Sequence, residues 1–213
     1  IKNEIKTIPN FIDMGLYNQD CNKSLRNKFA KNEEAILVHI SNFRRVKRVQ
    51  DVVKIFEKVN SHVSSKLLMI GDGPERLKAE QLCRKLGIDR QVKFLGKLKG
   101  IEKMLSIADI FVLPSETESF GLVALEAMAS KVAVISTNSG GLTEVNIDKK
   151  TGYLSDVGDL NKMANDTIHL LKDTDKLNEF KNNALAHAKT FDLPNILPQY
   201  EAVYQDLSFD IKK

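Results

Sequence analysis

Five short apolar runs, each separated from the next by a stretch of helical or turn character, constrain this chain most. They are Ala35–Ile40, Lys66–Gly71, Gln91–Gly96, Asp109–Leu113 and Val132–Ser136. Runs of this length read as strands. Between the first two, Val49, Val52, Val53, Phe56 and Val59 mark a helix with one buried face. Pro74 reads as a first-turn proline of a second helix, and Gly100 to Ile107 as a short third. Strands alternating with helices at this spacing predict right-handed β-α-β units and a mostly parallel sheet. The expected fold is therefore a doubly wound, Rossmann-like α/β domain. In such sheets ligands bind outside the carboxyl ends of the strands. After Thr151-Gly-Tyr-Leu154 the pattern is mainly helical to the end.

The 213 residues are enough for one large domain or a domain and a half. A net charge of +4 suits an anionic small molecule or an anionic lipid surface and is too weak to argue for nucleic acid. No apolar stretch approaches a membrane span, so insertion in a membrane is not expected. Cys21 and Cys83 are the two cysteines and lack C-x-x-C spacing. They offer neither a disulfide framework nor a metal site, the usage of a reducing cytoplasm. The first residue is Ile1, and no secretory-type apolar segment follows it, so the chain reads as a piece of something longer.

The segment Glu118-Ser-Phe-Gly-Leu-Val-Ala-Leu-Glu126 follows the fourth run and carries a carboxylate at each end. Glu126 is expected about two turns inside a helix whose buried stripe is Leu122, Leu125, Glu126 and Ala129. An acid on such a stripe needs a partner, and sugar hydroxyls would serve. A purely structural account is as good on these residues alone. Ser115 and Glu118 fit an S-x-x-E capping box, and Glu126 can bond to a neighbouring loop. The backbone amides of Ser119, Phe120, Gly121 and Leu122 would point from the helix start towards an anion.

Three other loops fall at the same edge. Ser41-Asn-Phe-Arg-Arg-Val-Lys-Arg48 puts four cations at the mouth of the first strand, a setting for phosphate or diphosphate, or else a solvated basic turn. Gly71-Asp-Gly-Pro-Glu-Arg76 fails the dinucleotide fingerprint because Arg76 stands where a third glycine belongs, so its glycines are read as a tight turn beneath a ligand. Ser136-Thr-Asn-Ser-Gly-Gly-Leu-Thr-Glu144 supplies either another wall or a plain turn. No histidine has catalytic spacing, and no carboxylate cluster has metal spacing.

Several marks in order resemble the carboxyl-terminal half of GT-B retaining glycosyltransferases of family 4. They are Pro9-Asn10 with Asp13, Gly71-Asp-Gly-Pro74, Phe94-Leu-Gly96, Pro114-Ser115, Glu118-x7-Glu126, Gly140-Gly141 with Glu144, and Thr151-Gly-Tyr-Leu154. The resemblance implies a hexosyltransferase that uses a UDP-sugar donor and needs no metal. By it Glu118 bonds hydroxyls of the donor sugar and Glu126 holds the uridine ribose. Arg44 and Lys47 neutralise the diphosphate, with Arg45 open as the alternative arginine because Asn42 stands where relatives carry one. Amides at Phe120, Gly121 and Leu122 bind the same phosphates, and the loop at Lys97 and Leu98 contacts uracil. His39 to Val49 and Leu113 to Ala127 narrow the resemblance to members that move GlcNAc from UDP-GlcNAc to a small hydroxy acid, L-malate, in bacillithiol synthesis.

The resemblance divides the chain into an inter-domain segment over 1–34, a nucleotide-sugar-binding domain over 35–189 and a carboxyl-terminal helix over 190–213. That helix is expected to pack on an amino-terminal domain, which would bind the acceptor, supply a histidine and has no counterpart in this chain. Alone, the chain is then expected to bind nucleotide weakly and turn nothing over. A UDP-GlcNAc 2-epimerase and a non-catalytic nucleotide-binding module are the competing readings, and self-association is left open.

Overall fold

The computed structural model describes residues 7–17, 21–31 and 33–210, with side chains to residue 205. The expected end segments fall outside it at residues 1–6, 18–20, 32 and 211–213. Among the described residues six parallel strands form one sheet: β1 (Ala35–Ile40), β2 (Ser65–Ile70), β3 (Val92–Gly96), β4 (Ile110–Leu113), β5 (Ala133–Thr137) and β6 (Gly152–Ser155). Their spatial order is β3-β2-β1-β4-β5-β6, the doubly wound arrangement with its switch point between β1 and β4.

Successive side chains of each strand point to opposite faces, and both faces are buried. Ile36, Val38, Leu68, Phe111 and Val134 enter one core, and Leu37, Leu67, Met69, Val112 and Ile135 enter the other. The second core is roofed by α3 (Val49–Asn60), α4 (Arg76–Lys85) and α8 (Leu160–Lys172). The first is covered by α5 (Ile101–Leu105), α6 (Leu122–Ala129), α7 (Leu142–Val145) and part of α9 (Thr174–Ala188). The five expected strands appear with ends shifted by at most one residue. The sixth was not read from the sequence because Gly152-Tyr-Leu-Ser155 is four residues long and lacks an apolar run. It is held instead by pairing with β5 and by buried Asn146, whose amide donates to Val134 O, Tyr153 O and Ser136 Oγ.

Two local expectations are corrected. Pro74 lies in the turn before α4, whose cap is Glu75, because the chain first closes back against Phe43, where Glu75 N donates to Phe43 O at 3.0 Å. Helix α6 begins only at Leu122, so Glu126 sits one turn inside it rather than two.

The segments on either side of the sheet-forming region are joined through Ile12. A short helix α1 (Met14–Tyr17) follows Ile12, which exchanges backbone bonds with Phe191 and Leu193 at 2.9 and 2.8 Å. Leu193 opens the last helix, α10 (Leu193–Asp210). A second short helix, α2 (Lys23–Arg26), is tied in by Arg26, which bonds Ile107 O, Glu34 O and the carboxylate of Asp109. Asp109 also meets Lys181 at 2.9 Å. Burial would raise its carboxyl pKa, but the two cations outweigh that and hold it below the usual range.

Candidate functional site

At the switch point the chain leaves β1 to one side and β4 to the other, so the loops 41–48 and 114–121 emerge next to each other. A backbone bond from Glu116 N to Val46 O, 2.8 Å, joins them. Beside it Lys47 Nζ meets Glu118 Oε1 at 2.6 Å, and Ser115 Oγ donates to the same oxygen at 2.8 Å. Both side chains are largely enclosed, Lys47 at 19% and Glu118 at 10% exposure. Among the described residues no hydrogen bond reaches Glu118 Oε2. The capping-box alternative fails, since Gly121 rather than Ser115 precedes the helix and the serine bonds the glutamate side chain itself.

The first loop is shaped by a histidine of β1. His39, fully buried near the end of β1, has Nδ1 2.9 Å from Val112 O on β4 and Nε2 2.8 Å from Ser41 Oγ. A carbonyl only accepts, so Nδ1 carries the proton and Nε2 accepts from the serine. Burial drives the imidazole pKa down to about 4, which keeps it neutral. Ser41 Oγ in turn accepts from Phe43 N at 3.3 Å. Phe43 is buried with a left-handed φ of 44°, stacked on His39 and edge-on to Phe94.

The four cations of this loop diverge. Lys47 reaches Glu118, and Arg48 turns away to Asp51 at 2.5 Å. Arg45 is exposed on the rim of a cavity of about 330 Å³ beside Gln50, Glu75 and Lys78. Arg44 is exposed and makes no ion pair or side-chain hydrogen bond among the described residues. The glycines of the second loop serve protein contact: a Cβ on Gly71, whose φ is +123°, would lie 1.7 Å from Ser41 O. Loop 71–75 closes directly under loop 41–43, and the expected turn beneath a ligand is a turn beneath the first loop.

The third loop is backed by the fourth. Thr137 Oγ1 donates to Ser115 O, Ser139 Oγ to Glu116 O, and Gly141 N to Glu118 O at 2.9 Å. Gly140, at φ +59°, lies so close that a Cβ there would stand 2.0 Å from Glu118 O. Neither glycine is a plain turn residue: both let backbone pack on backbone and hold Glu118 in place. The amides of Ser119, Phe120, Gly121 and Leu122 find no acceptor among the described residues, so α6 presents free donors at its start. Leu122 is 47% exposed at that mouth and is not part of the buried stripe, whereas Leu125 and Ala129 are fully buried.

Glu126 has a protein partner. Its Oε1 accepts from the hydroxyl of Tyr17 on α1 at 2.9 Å. Burial raises its carboxyl pKa, and the tyrosine bond partly opposes that rise. Burial first and the neighbouring carboxylate second push the Tyr17 phenol up as well. Lys97 and Leu98 lie exposed after β3, at the sheet edge two strands from β1.

The tertiary structure therefore brings Lys47, Glu118 and the 119–122 amides together, with Arg44 exposed on the same cationic loop. It sends Arg45 towards α4 and leaves Lys97 and Leu98 apart. His39 and Tyr17 were missed. A histidine in an apolar strand two positions before a serine was a signal for the first, and nothing local marked the second. Among the described residues no three His, Cys, Asp or Glu side chains group to hold a metal, and no helix is long and apolar enough to cross a membrane.

The profile of the family described as Glycosyl transferases group 1 matches residues 22–187. The chain is 44% identical over 98% of its length to N-acetyl-alpha-D-glucosaminyl L-malate synthase of Bacillus anthracis and covers 55% of that protein. It superposes with a TM-score of 0.86 on sucrose-phosphate synthase of Thermosynechococcus elongatus, at 26% identity, covering 95% of this chain and 52% of the other. Anabaena HepE in complex with UDP and glucose matches with the same TM-score at 25% identity, over 94% of this chain and 57% of that one. The chain thus spans about half the length of these relatives.

Proposed function

Because this chain belongs to the Glycosyl transferases group 1 family, we propose that it is the donor-binding half of a retaining hexosyltransferase that uses a UDP-sugar. The observation that carries this reading is the enclosed Lys47–Glu118 pair set beside the free amides that open α6. In a sugar transfer from a nucleotide donor the diphosphate departs with growing negative charge. Fixed cations and amide dipoles lower the barrier if they already face the place where that charge develops. Lys47, with Arg44 from the same loop, supplies the cations, and Ser119 to Leu122 the amides. Glu118 keeps Oε2 for a hydroxyl of the sugar, and its bond to Lys47 couples sugar position to phosphate position. Glu126 takes the ribose hydroxyls and the backbone at Lys97 and Leu98 the uracil. On this reading the cations do the work of a metal ion, and none is needed.

The sugar is GlcNAc and the acceptor L-malate, supported by the 44% identity to the Bacillus anthracis synthase. The acceptor would be held largely by a domain outside this chain, with α10 and the segment before β1 as the connection to it. The experiment is to supply the full-length protein with UDP-GlcNAc and L-malate and follow release of UDP, with ManNAc measured in parallel. UDP released only with L-malate present is the expected result. ManNAc formation without acceptor would instead establish an epimerase, and binding without either product a nucleotide-sensing module.

A further inference from the structure

We propose that Tyr17, outside every loop of the proposed donor site, is a positioning residue for nucleotide binding: its hydroxyl holds one oxygen of Glu126 and so aims the other at the ribose. The inference rests on the reading of Glu126 as the ribose acceptor. Its geometric basis is the 2.9 Å bond from the Tyr17 hydroxyl to Oε1, with no bond among the described residues reaching Oε2. A carboxylate one turn inside α6 has several rotamers to choose from, and a hydroxyl that fixes one oxygen removes most of that choice.

Tyr17 is itself well placed to do this. It closes α1, which packs on α6, and the segment leading into α1 is pinned by Ile12 to Phe191 and by Met14 N to Asp192 Oδ1 at 3.2 Å. The tyrosine ring is partly buried against the core that α6 covers. Among the described residues, the charged groups besides Glu126 whose fields reach the phenol are Glu102 on α5 and Asp13 before α1. Both are acidic and act on the phenol, so neither takes its place as a donor. Among the described residues no cation pairs with Glu126, and the Tyr17 bond is the contact there that favours its charged form. A ribose hydroxyl bonds better to a carboxylate than to a carboxylic acid. Loss of the tyrosine hydroxyl therefore costs both aim and charge.

The test is calorimetric titration of the full-length protein and its Tyr17→Phe and Glu126→Ala variants with UDP and with 2′,3′-dideoxy-UDP. Tyr17→Phe should bind UDP roughly fivefold more weakly, the loss of about one hydrogen bond, and dideoxy-UDP as the wild type does. The acid limb of UDP affinity should also move to higher pH in Tyr17→Phe, because the carboxylate loses a bond that favours its charged form. An equal loss for both nucleotides would mean general loosening and would overturn the proposal. So would unchanged or tighter UDP binding, which would make the tyrosine a plug to be displaced. If Glu126→Ala binds UDP as the wild type does, the ribose assignment itself fails. If Glu126→Ala loses affinity while Tyr17→Phe does not, only the inference about Tyr17 falls.

Discussion

Lys47 and Glu118 stand 71 residues apart in sequence and 2.6 Å apart in the structure, one from the loop after β1 and the other from the loop after β4. Each is the other's electrostatic partner in a setting where water has limited access. Removing one leaves a poorly solvated charge on the other. Lys47→Met and Glu118→Gln are each expected to cost about 1–3 kcal/mol. The double variant should cost less than their sum. Chemical unfolding of the four proteins checks this, and strictly additive losses would mean that the pair is not coupled.

Gly140→Ala should damage the site without touching any ligand. Its Cβ would meet Glu118 O at 2.0 Å, backbone against backbone, and its φ of +59° adds strain. Overpacking of this kind costs about 1–3 kcal/mol, and the 118–120 segment is what must move. A lowered melting temperature together with weaker UDP binding is the expected pair of results. A stable variant with wild-type affinity would show that the fourth loop does not set the position of the third.

Stability should depend on pH through His39. Its folded pKa, about 4, lies below the ordinary histidine value of about 6.5. Between these values the unfolded chain binds the extra proton and the folded one does not, so stability falls as pH is lowered through that window. The contribution is full above about pH 6.5 and amounts to about 3 kcal/mol. Urea unfolding of wild type and His39→Gln at pH 7 and pH 4.5 tests it. The variant should be less stable at pH 7 and lack this part of the slope.

The two cysteines should differ sharply in reactivity. Cys21 is exposed, whereas Cys83 is 1% exposed and burial pushes its thiol up to about 11. Reaction depends on the thiolate and on access. At pH 8 the native protein should titrate one thiol quickly with a disulfide reagent and the second only after denaturation. Rapid reaction of both in the native state would place Cys83 at the surface.

Legibility followed the range of the interactions involved. The strands could be read because Ile36, Leu37 and Val38, or Phe111 and Val112, are apolar in succession, a pattern that only a sheet covered on both faces accommodates. β6 could not, because Gly152 to Ser155 is a strand by virtue of β5 beside it. The cationic loop and the paired glutamates were visible as residues, yet their apportioning was not. Nothing in Arg44-Arg-Val-Lys-Arg48 says that Lys47 turns towards Glu118 and Arg48 towards Asp51.

By itself, then, the order of apolar runs, helical faces and turn residues determined a parallel α/β domain with its loops of interest at one edge. Those signals are local, since side-chain period and backbone preference act over a few residues. Only the tertiary structure decided which charges meet, that buried His39 holds the first loop through Ser41, and that Gly71 and Gly140 serve loop against loop. It alone paired Tyr17 with Glu126, across 109 residues of chain. Such contacts depend on the packing of elements distant in sequence, where spacing along the chain carries no information about distance in space.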